Sequence, residues 1–514
     1  MASTIAEFSG VHAPDIPFPA DKRTPLDWSV APVATHSQGG PTLLEPTLLE
    51  RPPLEPPQRA AAATGRLRLF VACDLRGAVR LHAHSAKTHQ RLTTYDIRYP
   101  DCHQPYDAPL DRDATRLALA EGVSLSLSEP PPDDSDFTDG PPTLWIFAGP
   151  KAPPERRPVL LLDGLGGLGG ATSAPTPAAD AADRAAALHR TLTGIGSLQP
   201  FGWMEGCVLD ALYDLTVTFP GDGRARTALA DHLAVYFPDG TLRYEDPRGR
   251  PADDRLYGIE ATLPYAVLAK LDPRNPARER AVEAWRVRAD DEGCVKDAPT
   301  TAEGSYTVAY PMAAIAATAD PSLREPALRQ LRLRRARLCT GDDLHLRLLP
   351  DGTHLYRNWA RAYAWYLLGL VRTLTELGEG ADTAGLWDEA RRVAALALSR
   401  RNAAGIWDSY LGEPETGAET CGSAGIAAAL ALGTEQGQFE ARREGAAALR
   451  AWEVLAGDHL TEDGWLSGGS PSNKGGEELQ RSGYRMLSGV GNGLMGQLGA
   501  ALVRLGTVKD WTRP

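Results

Sequence analysis

From residue 178 to 506 apolar side chains recur at three- and four-residue spacing. That spacing predicts about twelve helices, over roughly 178–194, 203–219, 224–236, 255–271, 276–289, 301–318, 324–338, 357–377, 383–400, 418–433, 437–456 and 485–505. Their polarity alternates. Arg278–Arg288, Glu325–Arg337 and Phe439–Leu449 are charged along one face, as expected of an outer layer. Met312–Ala319 and Ala424–Leu432 are small and apolar nearly all round, which suits burial on both sides. Each apolar helix is opened by a polar-aromatic group. These are Gly202–Trp203–Met204–Glu205, Asp253–Asp254–Arg255–Leu256–Tyr257, Glu303–Gly304–Ser305–Tyr306, Trp359–Ala360–Arg361, Glu419–Thr420–Cys421–Gly422–Ser423 and Gly483–Tyr484–Arg485. A helical-hairpin repeat that closes on itself brings all six groups to one end. The expectation is a mainly α chain, an (α/α)6 toroid with its pocket at the inner-helix N-termini, where the peptide dipoles favour an anionic ligand.

The first third reads differently. Short strand-like runs at Arg66–Val71, Ala78–His84, Arg91–Ile97, Val123–Leu127 and Leu144–Phe147, split by Asp, Pro and Gly clusters, predict a β-sandwich-like domain over 61–165. Residues 1–60 are proline-rich, with Thr42–Leu43–Leu44–Glu45–Pro46 echoed by Thr47–Leu48–Leu49–Glu50, and read as an arm. Leu160–Ala171 carries paired glycines without the order a dinucleotide site needs, so 166–195 reads as linker plus first helix, and 196–514 as the helical domain.

Composition narrows the partners. A net charge of -12 over 514 residues disfavours nucleic acid and anionic membrane surfaces, though a few local arginines can still hold a small anion. Six scattered cysteines without CxxC pairs suggest neither zinc nor a disulfide framework, and His82, His84, His89 and His103 fit no metal spacing. No apolar run reaches a signal peptide or a membrane span, so a cytoplasmic protein with reduced thiols is expected.

Two tryptophans, an arginine and a tyrosine crowd the opening turn of Asn358–Leu370. Rings stack on the CH faces of sugars, and Arg forks onto a carboxylate. Glycoside cleavage needs a carboxylic acid kept protonated and a second group to assist water. Glu205 and Glu260 sit among small or apolar residues on helices expected to be buried, where a carboxyl is raised towards an acid's working range. Asp253, Asp254 and Glu419 also read as helix caps.

Trp359–Ala360–Arg361–x–x–Ala364–Trp365 resembles the Trp-Ala-Arg-Gly-x-x-Trp signature of unsaturated uronyl hydrolases, glycoside hydrolase families 88 and 105. Glu419–Thr420–Cys421–Gly422–Ser423–Ala424 is similar to their (Asp/Glu)-Thr-Ser-x-(Ser/Thr)-Ala motif, and Thr353–His354 to a substrate-binding Thr-His. The resemblance covers about Ser197 to Gly506 and implies an (α/α)6 barrel. It also implies cofactor-free hydrolysis of a terminal uronic acid by hydration of its C4–C5 double bond. One position departs: those families carry a catalytic Asp six residues before a proline of the second inner helix, and counting back from Pro264 gives Gly258.

The expectation is therefore a glycosidase acting on an oligosaccharide with a terminal, preferentially unsaturated, uronic acid, its self-association left open. Glu205 and Glu260 form the acid/base pair, with Asp254 as a substitute acid one turn earlier. Arg361 and His354 hold the carboxylate, Trp203, Tyr257, Trp359 and Trp365 form the stacking walls, and Tyr306 and Glu419 complete the pocket. Three alternatives share the fold: a saturated β-glucuronidase of the related family 154, a polysaccharide lyase using Tyr257, Tyr306 or His354 as base, and a sugar-binding protein without catalysis.

Overall fold

The computed structural model describes residues 3–48, 64–132, 143–163 and 177–512. The chain divides into two compact units. The first comprises Met1–Asp183 with Glu245–Pro251 and Pro471–Gly476, and the second Arg184–Tyr244, Ala252–Ser470 and Glu477–Pro514.

The first unit is β-rich. Its strands are β1 (Ser3–His12), β2 (Val30–Val33), β3 (Thr42–Leu48), β4 (Gly65–Phe70), β5 (Ala78–Ser85), β6 (Arg91–Arg98), β7 (Pro105–Leu110), β8 (Val123–Leu127), β9 (Leu144–Phe147) and β10 (Val159–Leu162). Helix α1 (Arg112–Glu121) precedes β8, its first turn capped by Asp111, which accepts from Ala114 N at 2.8 Å. Eight strands form an antiparallel sheet in the order β6-β5-β8-β3-β1-β10-β4-β7, and β2 pairs with β9. Alternation sets the inner face: Val79, Leu81 and Ala83 of β5 join Phe8, Leu44, Leu125 and Ile146 in one core.

Residues 3–48 correct the reading of an arm, since β1 and β3 are interior strands of that sheet. The prolines misled because they are tolerated where pairing is broken or marginal: Pro46 faces Phe8 beside a register shift, and Pro32 lies in the two-stranded ribbon. The second half of the Thr-Leu-Leu-Glu echo runs into residues 49–50 and the glycine pairs into 164–171, both outside the described residues.

Helix α2 (Pro177–Leu192) leads into the second unit. There follow α3 (Trp203–Thr218), α4 (Gly223–Tyr236), α5 (Pro264–Leu271), α6 (Arg278–Arg288), α7 (Tyr310–Thr318), α8 (Arg324–Leu338), α9 (Ala360–Leu377), α10 (Ala381–Ser399), α11 (Thr420–Glu435), α12 (Ala446–Val454), α13 (Gly476–Arg481) and α14 (Gly489–Arg504). The apolar members pack in sequence, α3 on α5, α5 on α7, α7 on α9, α9 on α11, α11 on α14, and α14 back on α3. Helices α4, α6, α8, α10 and α12 each lie against the member they follow. Small residues set the inner spacing: a Cβ on Gly425 would lie 2.6 Å from Ala364 Cβ, and one on Gly493 2.8 Å from the Cys207 carbonyl.

Several boundaries differ from the periodic reading. Residues 255–271 become a 3-10 turn, Ile259–Thr262, ahead of α5, because Pro264 has no N–H to continue a helix through it. The stretch 301–318 begins as strand β11 (Thr300–Thr301) and a π turn, Ser305–Ala309. Strands β12 (Cys339–Thr340), β13 (Asp343–Leu348) and β14 (His354–Arg357) fill the gap before α9, and β15 (Leu466–Gly469) pairs with β16 (Met486–Ser488) before α14.

Between the inner helices lies a buried polar network. Arg372 of α9 donates to Asp214 Oδ2 at 2.6 Å and Gln497 Oε1 at 2.8 Å, and its Nε lies 3.8 Å from Asp210. Asp210 accepts from Tyr306 at 2.5 Å and Tyr310 at 2.7 Å. Burial pushes the Asp214 carboxyl up, but the guanidiniums of Arg372 and Arg504 pull harder and hold it below the ordinary aspartate range. Arg372→Met leaves two buried carboxylates short of their counter-charge and is expected to cost about 3–5 kcal/mol. Chemical denaturation monitored by circular dichroism checks this, and an unchanged midpoint would show the network to be dispensable.

Candidate active site

The site is built at the N-terminal ends of the inner helices, within the second unit. Strand β14 enters α9 through an unusual backbone: Tyr356 and Asn358 are both left-handed, at φ 56° and 58°. Such conformations cost a non-glycine residue about 1–3 kcal/mol and persist only where surroundings impose them. Here Asn358 accepts from Leu344 N at 3.1 Å and the Tyr363 hydroxyl at 3.1 Å, and donates to Asp343 at 2.6 Å. Glu477 accepts from Tyr356 N at 2.8 Å. The turn delivers Trp359 as the N-cap of α9, buried, with the Arg361 guanidinium 5.0 Å from its ring centroid. The Trp359 indole N–H has no partner among the described residues. Trp359 is buried, so it is no stacking wall for a ligand. Arg361 is itself held, donating to the Ser470 carbonyl and lying 3.7 Å from Glu419. Glu419 caps α11 by accepting from Gly422 N, and its other oxygen takes the Ser470 N–H at 2.9 Å. Its capping reading holds, and it reaches the pocket only through Arg361.

Beside this turn stands Arg347 of β13, half-buried. Its guanidinium lies 5.8 Å from the Tyr356 ring centroid and makes no hydrogen bond or ion pair with any described residue. A guanidinium with open donors in a partly desolvated place is suited to a planar anion. Near it Glu303, immediately before the π turn, is buried. Burial pushes its carboxyl above the ordinary glutamate range, with Arg347, then the Thr301 side chain and then Arg361 pulling against that shift and Asp297 adding to it. The Thr262 hydroxyl donates to the Thr307 carbonyl, tying the turn that carries Glu260 to the one after Glu303.

Other expected residues lie elsewhere in the unit. Glu205 is fully buried with both oxygens engaged, 2.8 Å from His232 Nδ1 and 2.8 Å from Gln199 N, and is a structural acid. Periodicity placed it correctly on a buried helix but could not see His232, which arrives from α4. Asp254 is half-exposed, ion-paired with Arg280 at 3.3 Å and accepting from Leu242 N at 3.4 Å, so it ties a surface turn instead of facing Glu303. His354 spends Nε2 on the Arg337 carbonyl at 2.9 Å and packs on His345. Trp203 meets Trp365 edge-on at 5.3 Å, and Trp365 stacks on Tyr306 at 6.2 Å. Trp365 and Tyr306 are buried, the latter held by Asp210, so of these three only half-buried Trp203 has ring surface to offer. The Tyr257 hydroxyl fills the space above Gly202, 2.5 Å from where a Cβ would stand, and Glu260, part-exposed, approaches the same glycine through its carbonyl.

Arg347, Tyr356 and Glu477 were missed. The Asp-Leu-His-Leu-Arg-Leu alternation of 343–348 was a legible strand signal. Nothing local marked Glu477, which matters only because α13 folds it under Tyr356.

Residues 353–505 match the model of Glycosyl Hydrolase Family 88, a stretch that contains Trp359, Arg361 and Glu419 but neither Glu303 nor Arg347. A curated relative, the 24.9 kDa protein in picA locus of Rhizobium radiobacter, is 34% identical over 101 residues, 19% of this chain. The chain spans 43% of that relative's length. Among solved structures, a possible member of the GH105 family from Salmonella enterica superimposes with a TM-score of 0.55 at 17% identity, covering 66% of this chain and 97% of its own. A polysaccharide lyase superimposes with a TM-score of 0.50 at 17% identity, covering 65% of this chain and 99% of its own. At these identities the structures speak for a shared fold.

Because the folded protein holds a proton on Glu303 above the ordinary value of 4.5, it binds protons that the unfolded chain gives up. Stability contributed by this group therefore falls as pH rises through that window. Glu303→Gln is expected to raise the thermal midpoint at pH 7.5 and to leave it unchanged at pH 4. An equal effect at both values would contradict the raised carboxyl.

Proposed function

We propose that the protein is a glycosidase releasing a terminal uronic acid from an oligosaccharide, unsaturated uronides first. The closed order of inner helices α3–α5–α7–α9–α11–α14 supports reading the second unit as an (α/α)6 toroid whose pocket lies at the helix N-termini. The match of 353–505 to a glycoside hydrolase family supports the hydrolytic reading over the lyase reading, although a lyase shares the fold.

The observation that carries the proposal is the open guanidinium of Arg347 beside the buried carboxyl of Glu303. In this reading Arg347 takes the sugar carboxylate, with the Trp359 N–H as a further donor, and fixes the ring against the acid. Glu303, its carboxyl pushed up by burial, supplies the proton in this reading. That proton goes to C4 of an unsaturated uronide, leaving the positive charge shared between C5 and the ring oxygen, or to the glycosidic oxygen of a saturated one. The saturated substrate is the second reading, favoured by Gly258: the position at which the resemblance implies the acid of the unsaturated reaction has no side chain.

Loss of ultraviolet absorbance from unsaturated uronyl disaccharides, beside a chromogenic saturated β-glucuronide, separates the two. Glu303→Gln is expected to lower kcat by about 10²–10⁴ on whichever substrate is turned over. Arg347→Met removes a charged hydrogen-bond donor of about 1.5–3 kcal/mol and is expected to act mainly on KM, by about 10–150-fold. If both variants retain wild-type kcat/KM, these residues are not the site. Elimination from an intact polyuronide, with no hydrolysis of either test substrate, would establish the lyase instead.

A further inference from the structure

Gly258 has a neighbour that explains its lack of a side chain. A Cβ at 258 would stand 2.7 Å from Oδ2 of Asp297, so another residue's carboxylate already occupies that space. Asp297 comes from the segment between α6 and β11. Its Oδ2 accepts the Ile259 N–H at 3.1 Å, at the start of the turn that carries Glu260. Its Oδ1 accepts from Arg288 Nε at 3.2 Å, and Arg288 also donates to the Leu256 carbonyl at 2.8 Å, which locks the segment against the same turn. The carboxylate is half-exposed, whereas Glu303 is buried.

We infer that Asp297 is the second carboxylate of the reaction, delivered in space to the start of the second inner helix by a different segment of the chain. The inference rests on the uronide-glycosidase reading above. Acid/base hydrolysis needs two carboxyl groups in contrasting surroundings, one dry and protonated and one ionised and open to water. Glu303 is buried, with its carboxyl pushed up by that burial, and Asp297 is half-exposed. Glu205 is enclosed by His232 and Gln199, and Asp254 is turned to Arg280. The charge of Asp297 also favours the protonated form of Glu303, against Arg347 and Arg361, so the two are electrostatically linked. In the step, Glu303 gives its proton to C4 of an unsaturated uronide or to the glycosidic oxygen of a saturated one, while Asp297 takes a proton from the attacking water. The water oxygen bonds to C5 as the C4–C5 π bond breaks, giving a hemiketal whose opening expels the second sugar from C1 as an alcohol, or bonds to C1 as the C1–O glycosidic bond breaks and the protonated oxygen leaves as that alcohol. One water is consumed. Asp297 ends protonated and Glu303 ionised, and both return to their starting forms through solvent.

The competing role is purely structural, a cap on Ile259 N–H, and Asp297→Asn separates the two because the amide oxygen can still accept that bond. On the substrate the wild type turns over, Asp297→Asn is expected to lower kcat at least 100-fold with an unchanged thermal midpoint. Asp297→Gly combined with Gly258→Asp returns a carboxylate to the same space from the other side. It is expected to recover at least tenfold over Asp297→Gly alone, which capping by itself would not produce. Wild-type kcat in Asp297→Asn overturns the inference and leaves the parent reading standing. A large loss confined to Glu260→Gln would pass the role to Glu260. A wild type inert towards both uronides removes the parent reading itself, a result visible before any variant is made.

Discussion

Arg372 is the constraint around which the helical unit closes. A guanidinium on an inner helix has no solvent to turn to, so α3 must bring Asp210 and Asp214, and α14 must bring Gln497. The hydroxyls of Tyr306 and Tyr310 then take the remaining oxygens of Asp210, which draws the π turn and α7 into the same network. Four inner helices thereby share one set of polar contacts with few alternatives, since any slip of register leaves a buried charge unpaired. The glycines and alanines allow close approach but do not choose a register, and the network does.

That closure has a consequence at the other end of the same helices. Trp365 and Tyr306 fill the interior, and unpartnered polar atoms also stand near the helix N-termini, at Trp359 and Arg347. The Trp359 N–H and the Arg347 Nε have no partner among the described residues, and burial pushes the Glu303 carboxyl up. Two left-handed non-glycine residues hold the Trp359 turn, at a conformational cost borne by the bonds of Asn358 and Glu477. Unpartnered donors, a buried acid and local backbone strain each cost stability, and their coincidence is what motivates reading this end as a site.

The site residues divide by how far their partners lie in sequence. Glu419 caps its own helix three residues on, and its role was legible because donor and acceptor share one turn. Glu205 was legible as a buried carboxyl, but its meaning depended on His232 from another helix. Arg347 looked like any polar position on an alternating strand. Only the neighbouring Tyr356 and Glu303, and the lack of a counter-ion, set it apart. Gly258 shows the same limit from the other side: an absent side chain reads as a loss until Asp297 is found standing in its place.

The sequence by itself determined the succession of helices, their alternation between charged and apolar faces, and the clustering of aromatic and acidic residues at the apolar helices' starts. Those features follow from local periodicity, capping and the cost of burying charge, which operate within a few residues. It misjudged residues 3–48, where proline masked strands whose partners, such as β8 and β10, lie about eighty to more than one hundred and fifty residues away. Tertiary structure decided which carboxyls are paired, which is raised by burial and which cation has no counter-ion among the described residues. Each of those properties belongs to the distance between segments remote in sequence, and no local pattern encodes it.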